Sequence, residues 1–324
     1  MTVDDMNATN SDIPHRFGFL LLPGFALMSY ASSVEPLRAA NLLAGRRLYE
    51  WRHFSPDGQA VTASTGMALA VEGGPAAATV DTMIVCAGGN RIDFAETGVL
   101  SRLRQWARRG WRLGGVSGGP VVLARAGVLD GYRCTVHWEH AQAFREEFPR
   151  LKLTGTLYEI DRGRLTCAGG IAAIDMMHAV IGHDHGPGLA HQVSEWFLQN
   201  RIREGGSTQR MDPGDRLGLT DARIARVIAA MEARIEDPLS RDELAALANL
   251  SPRQLERLFA AGLGLGPGRY YQNLRLERAR SLLRQTAMSV AEVAVACGFV
   301  SPAHFSRAYR QLFGIAPRDA RGRG

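Results

Sequence analysis

The sequence has few cysteines, a single lysine and no long apolar run. Its cysteines, Cys86, Cys134, Cys167 and Cys297, form no C-x-x-C pair, which argues against a disulfide framework or a structural zinc site. No apolar stretch reaches the ~18 residues that cross a bilayer, and the first ten residues lack the pattern of an export signal. We therefore expect reduced thiols, no membrane contact and a cytoplasmic location.

The composition is that of an ordinary globular protein. Hydrophobic residues make up 46% and charged residues 22% of the 324 residues, which excludes disordered, collagen-like and coiled-coil chains. At roughly 100–200 residues per domain, this length predicts two or three domains, each large enough to bury its own core.

The positive charge is concentrated in the last third of the chain. Residues 1–216 hold 22 basic and 22 acidic residues, whereas residues 217–324 hold 16 basic and 10 acidic residues. This split indicates a polyanion-binding domain at the C-terminus. On charge alone, an arginine-rich composition that merely decorates a surface remains an equally good explanation.

The first part of the chain alternates short apolar runs with amphipathic stretches. This alternation predicts βα units and a flavodoxin-like parallel sheet that is covered by helices on both faces. The predicted strands and helices are Phe17–Leu22, Met28–Leu43, Thr82–Cys86, Glu96–Arg109, Leu113–Val116, Pro120–Ala126, a hairpin of Tyr158–Asp161 and Arg164–Cys167, and two closing helices, Ile171–Ile181 and Leu189–Arg201.

A segment rich in glycine and small polar residues, 203–216, predicts the linker between two domains. The resulting division is a disordered N-terminus at 1–15, a ligand-sensing α/β domain at 16–202, the linker, and an all-α domain at 217–324. Every periodic segment after residue 216 has the helical period.

The C-terminal domain contains the same unit twice. Ser240, Glu243 and Leu244 recur as Ser289, Glu292 and Val293, and Ser251-Pro252 recurs as Ser301-Pro302 after one inserted residue. Each copy predicts a helix, a tight turn and a second helix whose serine caps its start. This is the helix-turn-helix arrangement, whose second helix enters the DNA major groove.

The second helix of each copy has a polar outer face. Leu255, Leu258 and Phe259 face inward in the first copy, and Phe305 and Tyr309 do so in the second. Arginine and glutamine form paired hydrogen bonds with guanine and adenine edges. The predicted DNA-contacting residues are Ser251, Arg253, Gln254 and Arg257 in the first copy, and Ser301, Ala303, His304, Ser306, Arg307 and Arg310 in the second.

A long helix, Pro267–Arg284, is predicted between the two copies and could hold them about one DNA turn, roughly 34 Å, apart. Residues 239–317 resemble the DNA-binding domain of the AraC/XylS family of transcription regulators. The resemblance rests on Arg275-Leu-Glu-Arg-Ala-Arg280, Val293-Ala-Val-Ala-Cys-Gly-Phe299 and Phe313-Gly-Ile-Ala-Pro317. It implies double-stranded promoter DNA as a partner, with RNA polymerase as a possible further one.

The strongest candidate for a functional site in the first domain is the segment Leu113-Gly-Gly-Val-Ser-Gly-Gly-Pro120. A sharp strand-to-helix turn of this kind displays its central side chain, here Ser117, and directs backbone amides at an anion. The other predicted members of this site are Gly118, Gly119, Gly88, Gly89, His137, Trp138 and Glu35. A serine, a histidine and a carboxylate also suit nucleophilic hydrolysis, so an amidase or hydrolase with a DNA-binding tether is the alternative.

Residues 16–201 resemble the PfpI-like members of the class I glutamine-amidotransferase-like superfamily, and specifically the sensor half of GlxA-type regulators. Enzymes of that superfamily carry cysteine where this chain has Ser117. A serine hydroxyl has almost no anionic fraction at neutral pH, so this departure favours a ligand pocket over an active site. The resemblance therefore implies a non-enzymatic regulator that binds a small-molecule effector and pairs as a homodimer.

The segment Leu129-Asp-Gly-Tyr-Arg-Cys-Thr-Val-His-Trp-Glu-His140 most resembles the corresponding sequence of regulators that respond to glycine betaine or carnitine. Arginine-responsive regulators share the same architecture. A trimethylammonium group needs aromatic faces, which Phe25, Tyr30, Tyr132 and Trp138 could supply, although each is more often a core residue.

No cofactor or metal is predicted. The glycine pairs around Ser117 lack the spacing and acidic partner of a dinucleotide fingerprint. His178, His183, His185 and His191 lie among glycine and proline and are expected to be solvated loop residues.

Overall fold

The computed structural model describes residues 13–322. These residues form two compact units, the first ending at Gln209 and the second beginning at Arg210, so the division falls within the predicted linker. The predicted disordered N-terminus lies mostly outside the described residues, and its last residue, His15, begins the first strand. None of the helices within residues 13–322 is long and apolar enough to cross a membrane.

The first unit is an α/β fold built on a six-stranded sheet. Its strands are β1 (His15–Leu21), β2 (Tyr49–Phe54), β3 (Val61–Thr62), β4 (Ala68–Leu69), β5 (Thr82–Ala87), β6 (Arg112–Ser117), β7 (Arg133–Cys134), β8 (Lys152–Leu153), β9 (Tyr158–Asp161) and β10 (Arg164–Cys167). Its helices are α1 (Leu27–Ala44), α2 (Thr97–Arg108), α3 (Gly119–Arg125), α4 (Ala141–Glu147), α5 (Ala172–His185) and α6 (Pro187–Trp196).

The main sheet has the order β2-β1-β5-β6-β10-β9, and its strands are parallel except for β9. Alternate residues of each strand enter two different cores. On β5, Ile84 and Cys86 pack with α1, α5 and α6, whereas Met83 and Val85 pack with α2 and α3. This period of two on a strand buried on both faces explains the continuous apolar sequences.

The hairpin of β9 and β10 has the bounds that the sequence predicted, and its turn residues Arg162 and Gly163 both have positive φ. Helix α6, however, ends at Trp196 rather than Arg201, because Leu198 has a left-handed backbone at φ 56°. The expectation that four histidines lie in loops was also wrong, although the predicted helices Ile171–Ile181 and Leu189–Arg201 already included His178 and His191. His178, His183 and His185 lie on α5 and His191 lies on α6, since Gly182 continues the helix and Pro187 begins the next.

The second unit is entirely helical in its described part. Its helices are α7 (Pro213–Leu217), α8 (Ala222–Ala233), α9 (Arg241–Leu247), α10 (Pro252–Leu263), α11 (Pro267–Gln285), α12 (Val290–Ala296) and α13 (Pro302–Phe313), followed by a 3-10 turn at Pro317–Gly322.

The second unit has two separate cores joined by α11. Leu255 and Phe259 of α10 pack with α8 and α9, and Tyr271 of α11 joins them. Phe305 and Tyr309 of α13 pack with α12 and with Leu276–Leu283, the later part of α11. Each predicted helix-turn-helix unit therefore has its own core, and one helix forms a wall of both.

Candidate functional site

The backbone at the end of β6 forms a strained strand-to-helix turn, which we call the elbow (Ser117–Gly119). Ser117 has φ 57°, a left-handed conformation that is uncommon for a residue other than glycine. Helix α3 begins two residues later, with Pro120 in its first turn, and the Gly118 N–H donates to the Ala87 carbonyl at 3.0 Å. The sequence prediction of a sharp turn at this serine is confirmed.

Close backbone approach explains the glycines around the elbow. A Cβ on Gly118 would lie 2.6 Å from the Gly89 oxygen, and a Cβ on Gly119 would overlap the Val85 oxygen. Gly88 is similarly close to the backbone of Gly24. The structure therefore brings together five of the predicted pocket residues, from the ends of the adjacent strands β5 and β6.

A second side of the elbow is formed by residues that sequence reasoning missed. A Cβ on Gly169 (φ 105°) would lie 2.9 Å from the Ser117 Cβ and 3.0 Å from the Ser29 Oγ. The Gly170 N–H donates to that Ser29 Oγ at 2.8 Å, which links α1 to the loop after β10. Ser29 is buried together with Ser32 and Ser33 on α1, and three serines at helical spacing are the sequence signal that could have revealed it.

Glu35 is not among the residues that these contacts place at the elbow. Its carboxylate pairs with Arg38 at 2.7 Å on α1, and both side chains are 44% exposed. Ser29, two turns earlier on the same helix, is the α1 residue that faces Ser117. The sequence offered Glu35 because carboxylates suit catalysis, whereas the folded helix presents a hydroxyl there.

His137 and Trp138 lie in the loop between β7 and α4. His137 caps a short 3-10 turn, Trp138–His140, by accepting from the Glu139 N–H at 3.3 Å. Burial, with a smaller contribution from His140, lowers the pKa of His137 below its usual value. Within the described chain, ligand-type atoms of His137, Glu139 and His140 lie within 4.8 Å of one another, a grouping that the sequence search for metal ligands overlooked.

The chemical groups at the elbow are hydroxyls and backbone amides. Cys167 is close, since its Sγ accepts from the Gly169 N–H at 3.4 Å, but burial raises the pKa of this thiol to about 12. It therefore stays protonated at neutral pH and is a poor nucleophile. The Gly118 and Gly170 N–H groups already donate to the Ala87 carbonyl and the Ser29 Oγ, so the Gly118 amide is not the anion donor that the sequence predicted. The hydroxyls of Ser117 and Ser29 are the neutral groups that could donate to a ligand.

The second unit displays two capped helices of the predicted kind. The Ser251 Oγ accepts from the Gln254 N–H at 3.3 Å, and the Ser301 Oγ accepts from the His304 N–H at 3.3 Å. Asn249, at the end of the first turn, has φ 54°, and Gly298 has φ 71° at the equivalent place. The turns and caps that the sequence predicted are confirmed.

The outer faces of α10 and α13 are polar and open. All ten predicted DNA-contacting residues are exposed except Ser306, which is half-buried. Within the part of the chain that the structure describes, Arg253, Arg257, Arg307 and Arg310 have no acidic partner. The Gln254 Oε1 instead accepts from the backbone N–H and hydroxyl of Ser251, so this side chain serves the helix cap.

Comparisons with known proteins agree with both units. A family model described as the DJ-1/PfpI family matches residues 18–182, and one described as a helix-turn-helix domain matches residues 244–323. The HTH-type transcriptional regulator GbdR of Pseudomonas aeruginosa is 48% identical over 309 residues, which cover 95% of this chain and 84% of that protein. The HTH-type transcriptional regulator GlxA of Rhizobium meliloti is 45% identical, with 95% and 96% covered. The chain belongs to the GlxA-type AraC family of transcription regulators.

A solved relative supports the fold of the regulator's first unit. The crystal structure of an AraC family transcriptional regulator from Pseudomonas putida is 33% identical, covers 57% of this chain and 100% of its own, and has a TM-score of 0.53. This GlxA-type regulator therefore joins a DJ-1/PfpI-like domain to a DNA-binding domain with two helix-turn-helix units.

The regulator's aromatic residues differ in their availability to a ligand. Phe25 is fully buried in the core, and the Tyr132 ring is covered by Arg162 at 4.3 Å and Arg164 at 4.8 Å. Tyr30 is half-buried and hydrogen-bonds His53 at 2.8 Å, whereas Trp138 is 44% exposed. Phe25 therefore has no accessible ring surface, whereas Trp138 is exposed and Tyr30 and Tyr132 are both half-buried.

One arginine of the regulator's second unit is structural. The Arg275 guanidinium donates to the carbonyls of Cys297 and Gly298 and lies over the Phe299 ring at 4.1 Å. It thereby fixes the turn of the second helix-turn-helix unit from α11. Arginine inside a family motif thus does not always indicate a DNA contact.

Proposed function

We propose that this regulator controls transcription from its target promoters in response to a small carboxylate-bearing metabolite bound at the elbow. The observation that carries the proposal is the turn at Ser117, which brings the hydroxyl-bearing side chains of Ser117 and Ser29 together around Gly169. These hydroxyls are neutral donors that suit a carboxylate. Residues 16–202 are the sensor, 203–216 the linker and 217–324 the DNA-binding part of this proposal.

The proposed effector class is the quaternary amines, with glycine betaine and carnitine as its first members. The exposed Trp138 ring supports it, because an aromatic face attracts a trimethylammonium group that has no N–H to donate. Arginine is the main competing effector. Its guanidinium would need acidic partners in addition to the aromatic face, which a quaternary amine does not.

We propose that the sensor unit acts without turnover. A serine nucleophile needs an adjacent general base, and the groups that contact the elbow are a second serine and glycine backbone. The hydrolase alternative draws its support from the same strained turn, which nucleophile elbows share. The hydrolase alternative predicts that the protein cleaves an amide or an ester, and that Ser117→Ala abolishes this activity.

The DNA contacts, dimer and location complete the proposal. The exposed residues of α10 and α13 read promoter DNA, and RNA polymerase is a further partner. We propose a cytoplasmic location and a homodimer. Two exposed apolar side chains support the homodimer: Met28, next to Ser29, is 61% exposed, and Ile171, next to Gly170, is 57% exposed. Sedimentation of the purified chain tests the pairing.

The effector proposal is tested by thermal shift on the full chain. Glycine betaine at a concentration about a hundred times its Kd should raise the free energy of unfolding by roughly 2.7 kcal/mol. Ser117→Ala should reduce this stabilisation while leaving operator affinity unchanged. Ser101→Ala, on the exposed surface of α2, is the matched control. Stabilisation by arginine alone would assign the effector to another class. If no carboxylate stabilises the protein, the proposal that the first unit senses a carboxylate is wrong.

A further inference from the structure

The segment that leads into the second unit, Arg203–Gln209, is bonded to the sensor unit at both of its ends. At the first end, the Arg203 N–H, Nε and Nη2 donate to the Asp175 carboxylate at 3.0, 2.9 and 2.6 Å. Gln199 adds a fourth bond at 2.7 Å, and Asp175 is fully buried on α5. A buried carboxylate needs its cationic partner, so this end is a fixed anchor.

The other end is held by neutral hydrogen bonds. The Gln209 Nε2 donates to the carbonyls of Thr156 and Val136 at 2.7 and 2.8 Å and to the Thr135 Oγ1 at 3.1 Å. Its Oε1 accepts from the Trp138 N–H at 2.7 Å. One side chain therefore holds both flanks of His137, and we call it the latch.

Between the anchor and the latch, the segment follows the chain before β9. The Leu157 N–H lies 3.1 Å from the Gly205 oxygen and 3.2 Å from the Ser207 oxygen. The Leu157 carbonyl accepts from the Ala168 N–H at 2.9 Å, and Ala168 directly precedes the Gly169 that packs on Ser117. One short path thus connects the segment with the elbow, through Leu157, Ala168 and Gly169. The latch also holds the loop that carries the predicted ligand-binding residues His137 and Trp138.

We propose that the latch at Gln209 transmits occupancy of the elbow to the DNA-binding unit. An effector that contacts Trp138 or displaces Gly169–Gly170 changes the backbone atoms that Gln209 and Gly205 hold. Because Arg210, the first residue of the second unit, follows Gln209 directly, a released or tightened latch alters the start of that unit. The anchor at Asp175 holds residue 203 in place, so the movement proceeds towards Arg210 rather than back into α6. This inference rests on the proposed function and assigns its regulation.

The experiment compares Gln209→Leu with wild type in the full chain. Leucine keeps the side-chain size and removes all four latch bonds, and Gln142→Leu on α4, which removes the side-chain bond to Glu146, is the matched control. Operator affinity is measured by fluorescence anisotropy with and without glycine betaine, on a fragment selected from random DNA by the wild type. Allosteric coupling typically changes affinity 5–150-fold.

We expect wild type and Gln142→Leu to show such a change, and Gln209→Leu to lose it while thermal shift still detects glycine betaine. Retention of the wild-type change in Gln209→Leu would overturn the latch and leave the proposed sensor intact. Failure of the wild type to bind or answer glycine betaine, carnitine or arginine would overturn both.

A second measurement needs no ligand. Gly169→Ala places a methyl group against Ser117 at φ 105°, and Gly127→Ala places one at an open position that also has positive φ, 71°. Hydrogen exchange of the amides in 204–209 should quicken in Gly169→Ala and remain as in wild type in Gly127→Ala. Equal exchange in the two variants would refute the path from the elbow to the latch.

Discussion

At the residue scale, the non-glycine residues with left-handed backbone conformation lie mainly where the chain changes direction. The described non-glycine residues with left-handed φ are Ser117, Arg162, Leu198 and Asn249. Arg162 and Asn249 lie in turns that many proteins share, whereas Ser117 lies at the end of a central strand. Such strain costs about 1–3 kcal/mol and persists only where the surroundings enforce it, which is why Ser117 supports a functional assignment.

The crowding at the elbow predicts opposite effects for two glycine-to-alanine changes. Gly118→Ala should lower the free energy of unfolding by about 1–3 kcal/mol, because the new Cβ would lie 2.6 Å from the Gly89 oxygen. Gly98→Ala, on α2 with no atom within 4 Å, should raise it by about 0.5–1 kcal/mol. Urea denaturation of the full chain measures both. Equal effects would show that the elbow relaxes freely.

The pocket could be predicted from the sequence only where it is local. Ser117, Gly118 and Gly119 are adjacent along the chain, and Gly88 and Gly89 directly follow the end of the neighbouring strand. Ser29, Gly169 and Gln209 carry no motif of their own and reach the site only through the parallel sheet and the linker path. Without strand order, no spacing rule connects them.

At the element scale, periodicity and caps predicted the helix-turn-helix units because both signals lie within a few residues. Leu255 and Phe259 are buried, as the helical period requires, and Phe305 and Tyr309 follow the same rule. The role of Gln254 could not be predicted in the same way. A glutamine three residues after a capping serine can hydrogen-bond the N-cap backbone or a DNA base. Only the hydrogen bonds of the folded helix separate these two uses.

The exposed arginines of the reading helices predict sequence-dependent losses of affinity. Arg307→Ala should weaken operator binding by about 1–3 kcal/mol if this guanidinium pairs with a base edge, and should weaken binding to random DNA much less. Arg104→Ala, an exposed change in the sensor unit, is the control. Anisotropy titrations at several salt concentrations distinguish the cases, and an equal loss on every DNA would assign Arg307 to phosphate.

At the scale of the whole molecule, the buried histidines make the sensor unit sensitive to acid. Burial is the main cause that lowers the pKa of His15, His53, His137, His178 and His185 below the ordinary value of 6.5. All of these residues lie in the first unit. Below about pH 6.5 the unfolded chain therefore binds more protons than the folded chain, which favours unfolding.

We accordingly expect the free energy of unfolding of the sensor unit to fall as the pH decreases from about 7 towards 5. Calorimetric scans over this range should show its transition moving to lower temperature. His178→Gln should reduce the slope, because it removes one buried imidazole. A transition that is constant over this range would contradict the burial of these rings.

Helix α11 also limits the promoters that this chain can use. Tyr271 belongs to one core and Leu276–Leu283 to the other, so no hinge separates the two helix-turn-helix units. Its 19 residues span about 28 Å, a length of the order of one helical turn of DNA. Inserting about five base pairs between the two sub-sites would rotate one of them to the far side of the duplex. Such a promoter could engage only one unit at a time, and adding a full further turn would not restore simultaneous engagement, because a continuous helix cannot stretch.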